Sequence, residues 1–181
     1  MQQISVSAVK TRKRVIAVSV LVATALLAAA LLVKVRSVAP RTDTRVVLGR
    51  PLPSLPVTSP LGSKVDLATI AAGKKRVIAF YSPSCDACQK ELPELQPFPE
   101  NLELVMVKDG SATASDAWTG AMGGGIRYTD NDRILNKAFT MPALPTLLFV
   151  DESGTVRDGL IGVHPPEITR GKLQKFAQSR T

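Results

Sequence analysis

Cysteine is scarce in this chain, with two in 181 residues. Small disulfide-stapled scaffolds carry several times that fraction, so disulfides are not what makes this fold stable. Histidine occurs once, at His164. Two Cys and one His fall short of the four ligands a structural zinc site needs. Acidic residues are almost missing from the amino-terminal end: residues 1–50 hold nine Lys/Arg and only Asp43, whereas residues 51–181 hold 14 of each sign. The formal charge of +8 therefore belongs to the first fifty residues, and the remainder is neutral. That split argues against a globally basic nucleic-acid-binding domain, and no nucleic acid is expected as a partner. The length allows one ordinary domain plus attachments.

Charge is also missing from Val15 to Val33, nineteen residues reading VIAVSVLVATALLAAALLV. As a helix this run would span about 28 Å, close to the ~30 Å hydrocarbon core of a bilayer. A cleaved secretory signal is the competing reading. Its apolar region is usually only about 7–15 residues long, and the nearest small-residue cleavage candidate, Val38-Ala39, is followed at once by Pro40. The expectation is a retained anchor through the lipid bilayer over 15–33, preceded by a short basic tail over 1–14. Lys10, Arg12, Lys13 and Arg14 precede the span, but Lys34, Arg36, Arg41, Arg45 and Arg50 follow it, so the positive-inside rule is nearly balanced. The tighter cluster on the short tail favours a cytoplasmic amino terminus, with the large domain on the extracytoplasmic (periplasmic) side of a bacterial inner membrane. Proline at 40, 51, 53, 56 and 60 predicts an extended linker over 34–60.

The remaining residues, 61–178, alternate between strand-like and helix-like patterns. Arg76–Tyr81 reads as a buried strand, Cys85 to about Gln96 as a helix shortened or kinked by Pro93, and Leu102–Val107 as a second strand. Asn131–Phe139 has helical spacing. Thr146–Val150 and Thr155–Ile161 read as strands joined by the turn Asp151-Glu-Ser-Gly154, and Pro166–Gln178 as a closing helix. This order predicts an α/β layer sandwich with a mixed sheet. Gly110–Tyr128 is the least legible stretch. It carries the only tryptophan, Trp118, and ends in three glycines not followed by the Lys-Ser/Thr pair of a phosphate loop, so it reads as a connection or helix end.

About 120 residues suffice for a core without staples, so the two cysteines are free for chemistry. They stand in Ser84-Cys85-Asp86-Ala87-Cys88-Gln89, between a strand and a helix. A thiol at the first turn of a helix faces unpaired backbone N–H groups, which favour the nucleophilic thiolate. A thiol three residues later lies on the same face, within disulfide reach at about 5.5 Å between Cα atoms. Cys85 at the helix tip is expected to attack, and Cys88, deeper in the fold, to resolve. Gln89 stands where a c-type haem attachment needs His. A module that carries copper on both sulfurs and His164, or docks a partner without redox turnover, is the alternative of a different class. Asp86, between the cysteines, should oppose the Cys85 thiolate and so favour a reductant.

Two stretches carry a family resemblance: Val-Ile-Ala-Phe-Tyr-Ser-Pro-Ser-Cys85-Asp-Ala-Cys88-Gln-Lys-Glu-Leu-Pro93, and Ala143-Leu-Pro145-Thr146-Leu-Leu-Phe-Val-Asp151-Glu-Ser-Gly154. Over about residues 50–178 the chain resembles thioredoxin-fold proteins, in particular the membrane-anchored TlpA/ResA type, and MauD-like maturation factors are similar too. The resemblance implies a thioredoxin-like three-layer α/β/α sandwich. It also implies a thiol–disulfide oxidoreductase whose only redox group is the Cys85–Cys88 disulfide, with no further cofactor or metal. Pro145 would be a cis-proline facing the cysteines, with Leu144 and Thr146 at the substrate segment and Ser84, Asp86 and Ala87 tuning the potential. The implied partners are a disulfide-containing client protein and a membrane electron donor. Cytochrome c maturation, oxidase assembly and dehydrogenase maturation are all compatible. The chain departs from the pattern at Ser84, where the family usually has Trp, and in the stretch 111–125. No buried acid assisting Cys88 is identified.

Overall fold

The run Arg76–Tyr81, expected as a buried strand, lies inside a seven-stranded sheet. The computed structural model describes residues 48–111, 115, 117–123, 125–131, 133 and 143–180. Their elements are β1 (Pro56–Thr58), β2 (Lys64–Asp66), α1 (Leu67–Ala71), β3 (Arg76–Tyr81), α2 (Asp86–Glu91), β4 (Glu103–Asp109), β5 (Ile126–Asp130), β6 (Thr146–Val150), β7 (Val156–Ile161) and α3 (Pro166–Gln178). Short 3₁₀ segments cover Leu92–Leu95 and Ala117–Met122. The strand order is β2-β1-β5-β4-β3-β6-β7. β3–β4 and β4–β5 run parallel, whereas β3–β6, β6–β7, β1–β2 and β1–β5 run antiparallel, so the sheet is mixed as expected.

Side chains alternate faces along a strand, and β3 divides its residues between two cores accordingly. Val77, Ala79 and Tyr81 join Cys88, Leu92, Leu95, Met106, Phe149, Leu173 and Phe176 on the face covered by α2 and α3. Ile78 and Phe80 join Leu52, Val57, Leu67, Ala71, Val105 and Val150 on the face covered by α1. Helices on both faces of the sheet bury β3 from Val77 to Tyr81, which is why those residues read as an unbroken apolar run.

Residues 48–60, the described part of the linker expected over 34–60, pack against this unit; residues 34–47 lie outside the described residues. Gly49 N–H donates to Val156 O, Leu52 N–H to Gly154 O, and Pro51 bridges Thr155. Leu52 and Val57 are buried between prolines that break helix but tolerate extended chain. Pro56 opens β1, the position where a strand dispenses with its N–H. The stretch read as a connection, Gly110–Tyr128, runs into β5, which is paired in parallel with β4 from Val105↔Ile126 to Asp109↔Asp130. Its mixed composition and exposed start hide the strand period. The expected helix is shorter than 85–96. Cys85 is its N-cap, and Pro93, lacking an N–H, turns the chain into the 3₁₀ segment. The helix expected over 131–139 and the span over 15–33 lie outside the described residues, apart from Asn131 and Arg133. Among the described residues no helix is long and apolar enough to cross a membrane.

Gly110 ends β4 where the chain passes Asn131, and its N–H donates to Asp130 O at 2.9 Å. A Cβ there would sit 2.6 Å from Asn131 Cα and 2.8 Å from Asp130 O, so backbone would have to move. Gly110→Ala should therefore cost about 1–3 kcal/mol, read as a lowered denaturant midpoint with the cysteine chemistry retained.

Candidate active site

Strand register brings three loops to one end of the sheet. Thr146 pairs with Phe80 and with Ile161, so residues 143–145, 82–85 and 162–164 all leave the sheet beside Tyr81. The first loop to the helix is a tight turn: Cys85 N–H donates to Ser82 O at 3.1 Å, and Gln89 Nε2 donates to Pro83 O at 2.8 Å. Cys85 then caps α2, and its Sγ accepts the Cys88 N–H at 3.1 Å. That is the contact that stabilises a thiolate when the pair is reduced. The two sulfurs are joined in a disulfide, with Cα atoms 5.2 Å apart. Cys85 is half-buried and Cys88 fully buried. A client can therefore reach only the first sulfur.

The Leu144–Pro145 bond is cis, as the resemblance implied. Pro145 is buried, Leu144 half-buried and Ala143 exposed. Thr146 is turned inward. It is buried, and its hydroxyl donates to Ala143 O at 2.8 Å. Its side chain braces the loop. Ser84 and Asp86 are exposed and Ala87 half-buried, so the pair between the cysteines lies at the surface. Trp118 meets Tyr81 edge-on, ring centroids 5.6 Å apart, and packs against the same core as Cys85.

Glu91, half-buried at the end of α2, was not singled out from the sequence. It stands three residues after Cys88, one helical turn along the same face, and that spacing was the available signal. Its carboxylate accepts the backbone N–H of His164 at 3.2 and 3.3 Å. Burial pushes its pKa above the ordinary carboxylate range, and the His164 N–H together with the charge interaction with the His164 ring offsets only part of the rise. A raised folded-state pKa means that ionising Glu91 costs stability as pH rises through that window. Glu91→Gln should therefore gain on the wild type between pH 4 and pH 7.5 in urea unfolding of the oxidised protein, with no gain at the acid end. Cys85, Cys88 and His164 form no three-ligand cluster. None capable of holding a metal occurs among the described residues.

The thioredoxin-like domain family matches residues 64–177. The chain belongs to that family. Its fold is similar to that of a Chlorobium tepidum protein assigned as a thiol:disulfide interchange protein DsbE (17% identity, TM-score 0.58, covering 72% of this chain and 97% of that one). It is also similar to StoA from Bacillus subtilis (21%, TM-score 0.51, 68% and 97%). A secreted Mycobacterium tuberculosis disulfide oxidoreductase homologous to E. coli DsbE shares the fold as well (18%, TM-score 0.53, 67% and 96%). No curated protein matches the chain. As a thioredoxin-like protein with a closed Cys85–Cys88 pair, it carries the machinery of a thiol–disulfide oxidoreductase.

Proposed function

We propose that this thioredoxin-like protein is a TlpA/ResA-type reductase of client disulfides, held on the extracytoplasmic face of the membrane by residues 15–33. The observation that carries the chemistry is the asymmetry of the pair: Cys85 reachable at a helix cap, Cys88 enclosed behind it, with the cis-Pro145 loop alongside. The Cys85 thiolate attacks one sulfur of a client disulfide, the client S–S bond breaks, and its other sulfur leaves as a thiolate. Cys88 then gives its proton to the Glu91 carboxylate and attacks Cys85 Sγ. The mixed disulfide breaks and the second client sulfur departs with the electron pair, taking a proton from water. The Leu144 backbone pairs with the client segment. A membrane-embedded dithiol donor returns two electrons to the Cys85–Cys88 disulfide.

Direction and place are measured separately. The Asp86 charge, next to the reactive thiol, disfavours its thiolate and so the reduced form, giving a reducing couple. The expected potential lies nearer the roughly −270 mV of thioredoxin than the roughly −120 mV of DsbA, and a DsbA-like value contradicts the reductase assignment. An alkaline phosphatase fused to the carboxyl end should be active in cells. An inactive fusion would reverse the orientation.

A further inference from the structure

His164 is the chain's single histidine and is 3% exposed, yet the thiol chemistry leaves its ring unused. Its Nδ1 lies 2.8 Å from Gly162 O. A carbonyl only accepts, so Nδ1 carries a proton and donates it. Nε2 is enclosed with no partner among the described residues. Burying an unpaired polar atom costs stability, and an apolar side chain would fill the space without that cost. The ring is thus kept for the bond its other nitrogen makes. That bond closes the turn Gly162–His164, which has two further ties: the Gly162 N–H to Pro145 O at 2.8 Å, and the His164 N–H to both Glu91 oxygens. The turn is tight, because Gly162 has φ +75° and a Cβ there would come 3.3 Å from Ala143 Cβ.

We propose that His164 is a positioning residue for the resolving step: its ring, by holding the Gly162–His164 turn, aims the backbone N–H that keeps the Glu91 carboxylate ready to take the Cys88 proton. The inference rests on the roles given above to Cys85, Cys88 and Glu91. Hydrogen bonds to a carboxylate favour its ionised form, so loosening the turn raises the pH at which Glu91 becomes a base. The other charged groups on the surrounding elements are Asp86 and Lys90 on α2, Glu94 on the 3₁₀ segment, Arg157 and Asp158 on β7, and Glu167, Arg170, Lys172 and Lys175 on α3. Arg170 is tied to Glu94, and Asp158 to an α3 lysine. Glu91 is the acid that bonds the turn itself.

The test is a two-phase thiol assay with 5,5′-dithiobis-(2-nitrobenzoate) on the reduced full-length protein across pH 4.5–8. Attack by Cys85 releases one nitrothiolate, and resolution by Cys88 releases the second. His164→Phe and His164→Leu fill the space but cannot donate to Gly162 O. Both should leave the first phase unchanged, slow the second about tenfold, and move its acid limb to higher pH. His164→Asn, which keeps a side-chain N–H donor, should stay within about twofold of the wild type. Glu91→Gln/His164→Phe should be no slower than Glu91→Gln alone, because His164 acts through Glu91. An unchanged second phase in the apolar variants overturns the inference, as does an equal fall of both phases or a double variant slower than Glu91→Gln. Those results leave the thiol assignment standing. Absence of both phases in the wild type would defeat that assignment itself.

Discussion

Cys85→Ser should abolish disulfide reduction, whereas Cys88→Ser should perform the first exchange and stall. The asymmetry follows from position. Cys85 is the half-exposed N-cap whose Sγ accepts a backbone N–H, and Cys88 is enclosed in the core with Leu92, Leu95 and Tyr81. Removing the nucleophile leaves a buried thiol that a client cannot reach, so the rate should fall at least about 10³-fold. Removing the resolving thiol leaves attack intact but blocks escape. Single-turnover reduction of a disulfide dye reads the difference: one equivalent of released thiol for Cys88→Ser, two for the wild type, and none above background for Cys85→Ser. Equal behaviour of the two variants would mean that burial does not set their roles.

The second large effect is structural. Asp151→Ala should destabilise the domain by about 2–4 kcal/mol, although Asp151 takes no part in the chemistry. Its side chain is buried in the turn between β6 and β7. Oδ1 accepts the Ser153 N–H at 2.9 Å, the Ser153 hydroxyl at 2.6 Å and the Thr155 N–H at 3.0 Å, while Arg157 Nε reaches Oδ2 at 2.5 Å. Alanine would strip these donors of their acceptor in a turn that also receives Leu52 and Gly73 by backbone bonds. Burial alone would push the Asp151 pKa up, but the Ser153, Thr155 and Arg157 donors together hold it below the ordinary range. A lowered folded-state pKa gives stability that is present above about pH 4 and lost as pH falls through the folded value. Asp151→Asn should therefore show a smaller acid-side loss than the wild type in urea unfolding at pH 2–4. A variant that matches the wild type at every pH would contradict this account of the turn.

The site was more legible in the sequence than the frame around it. Arg76–Tyr81, the Cys85 cap and the 146–161 hairpin each follow from local patterns that the packing reinforces: an apolar run, a helix start, and a turn acid before glycine. Pro145 was found by resemblance, and its cis bond is seen directly. The β1–β2 hairpin was hidden because five prolines over 40–60 read as tether, whereas the buried residues between them, Leu52 and Val57, are what dock the segment. β5 was hidden because only its far end is buried and its pairing with β4 is long-range. Glu91 needed only helical spacing to be found. His164 entered the sequence reading only as a metal-ligand candidate, since a lone histidine in Gly-Val-His-Pro-Pro gains its meaning from contact with an element 73 residues away.

The measurement closest to the central claim is capture of the client in living cells. Full-length Cys88→Ser should accumulate as disulfide-linked adducts on a non-reducing gel. Those adducts should vanish with reductant and be absent from the Cys85→Ser/Cys88→Ser variant. The captured proteins should be extracytoplasmic and carry cysteines that are reduced when the wild type is present. Cys88→Ser that stays monomeric, or adducts that persist without Cys85, would contradict the assignment of this domain as a client-disulfide reductase.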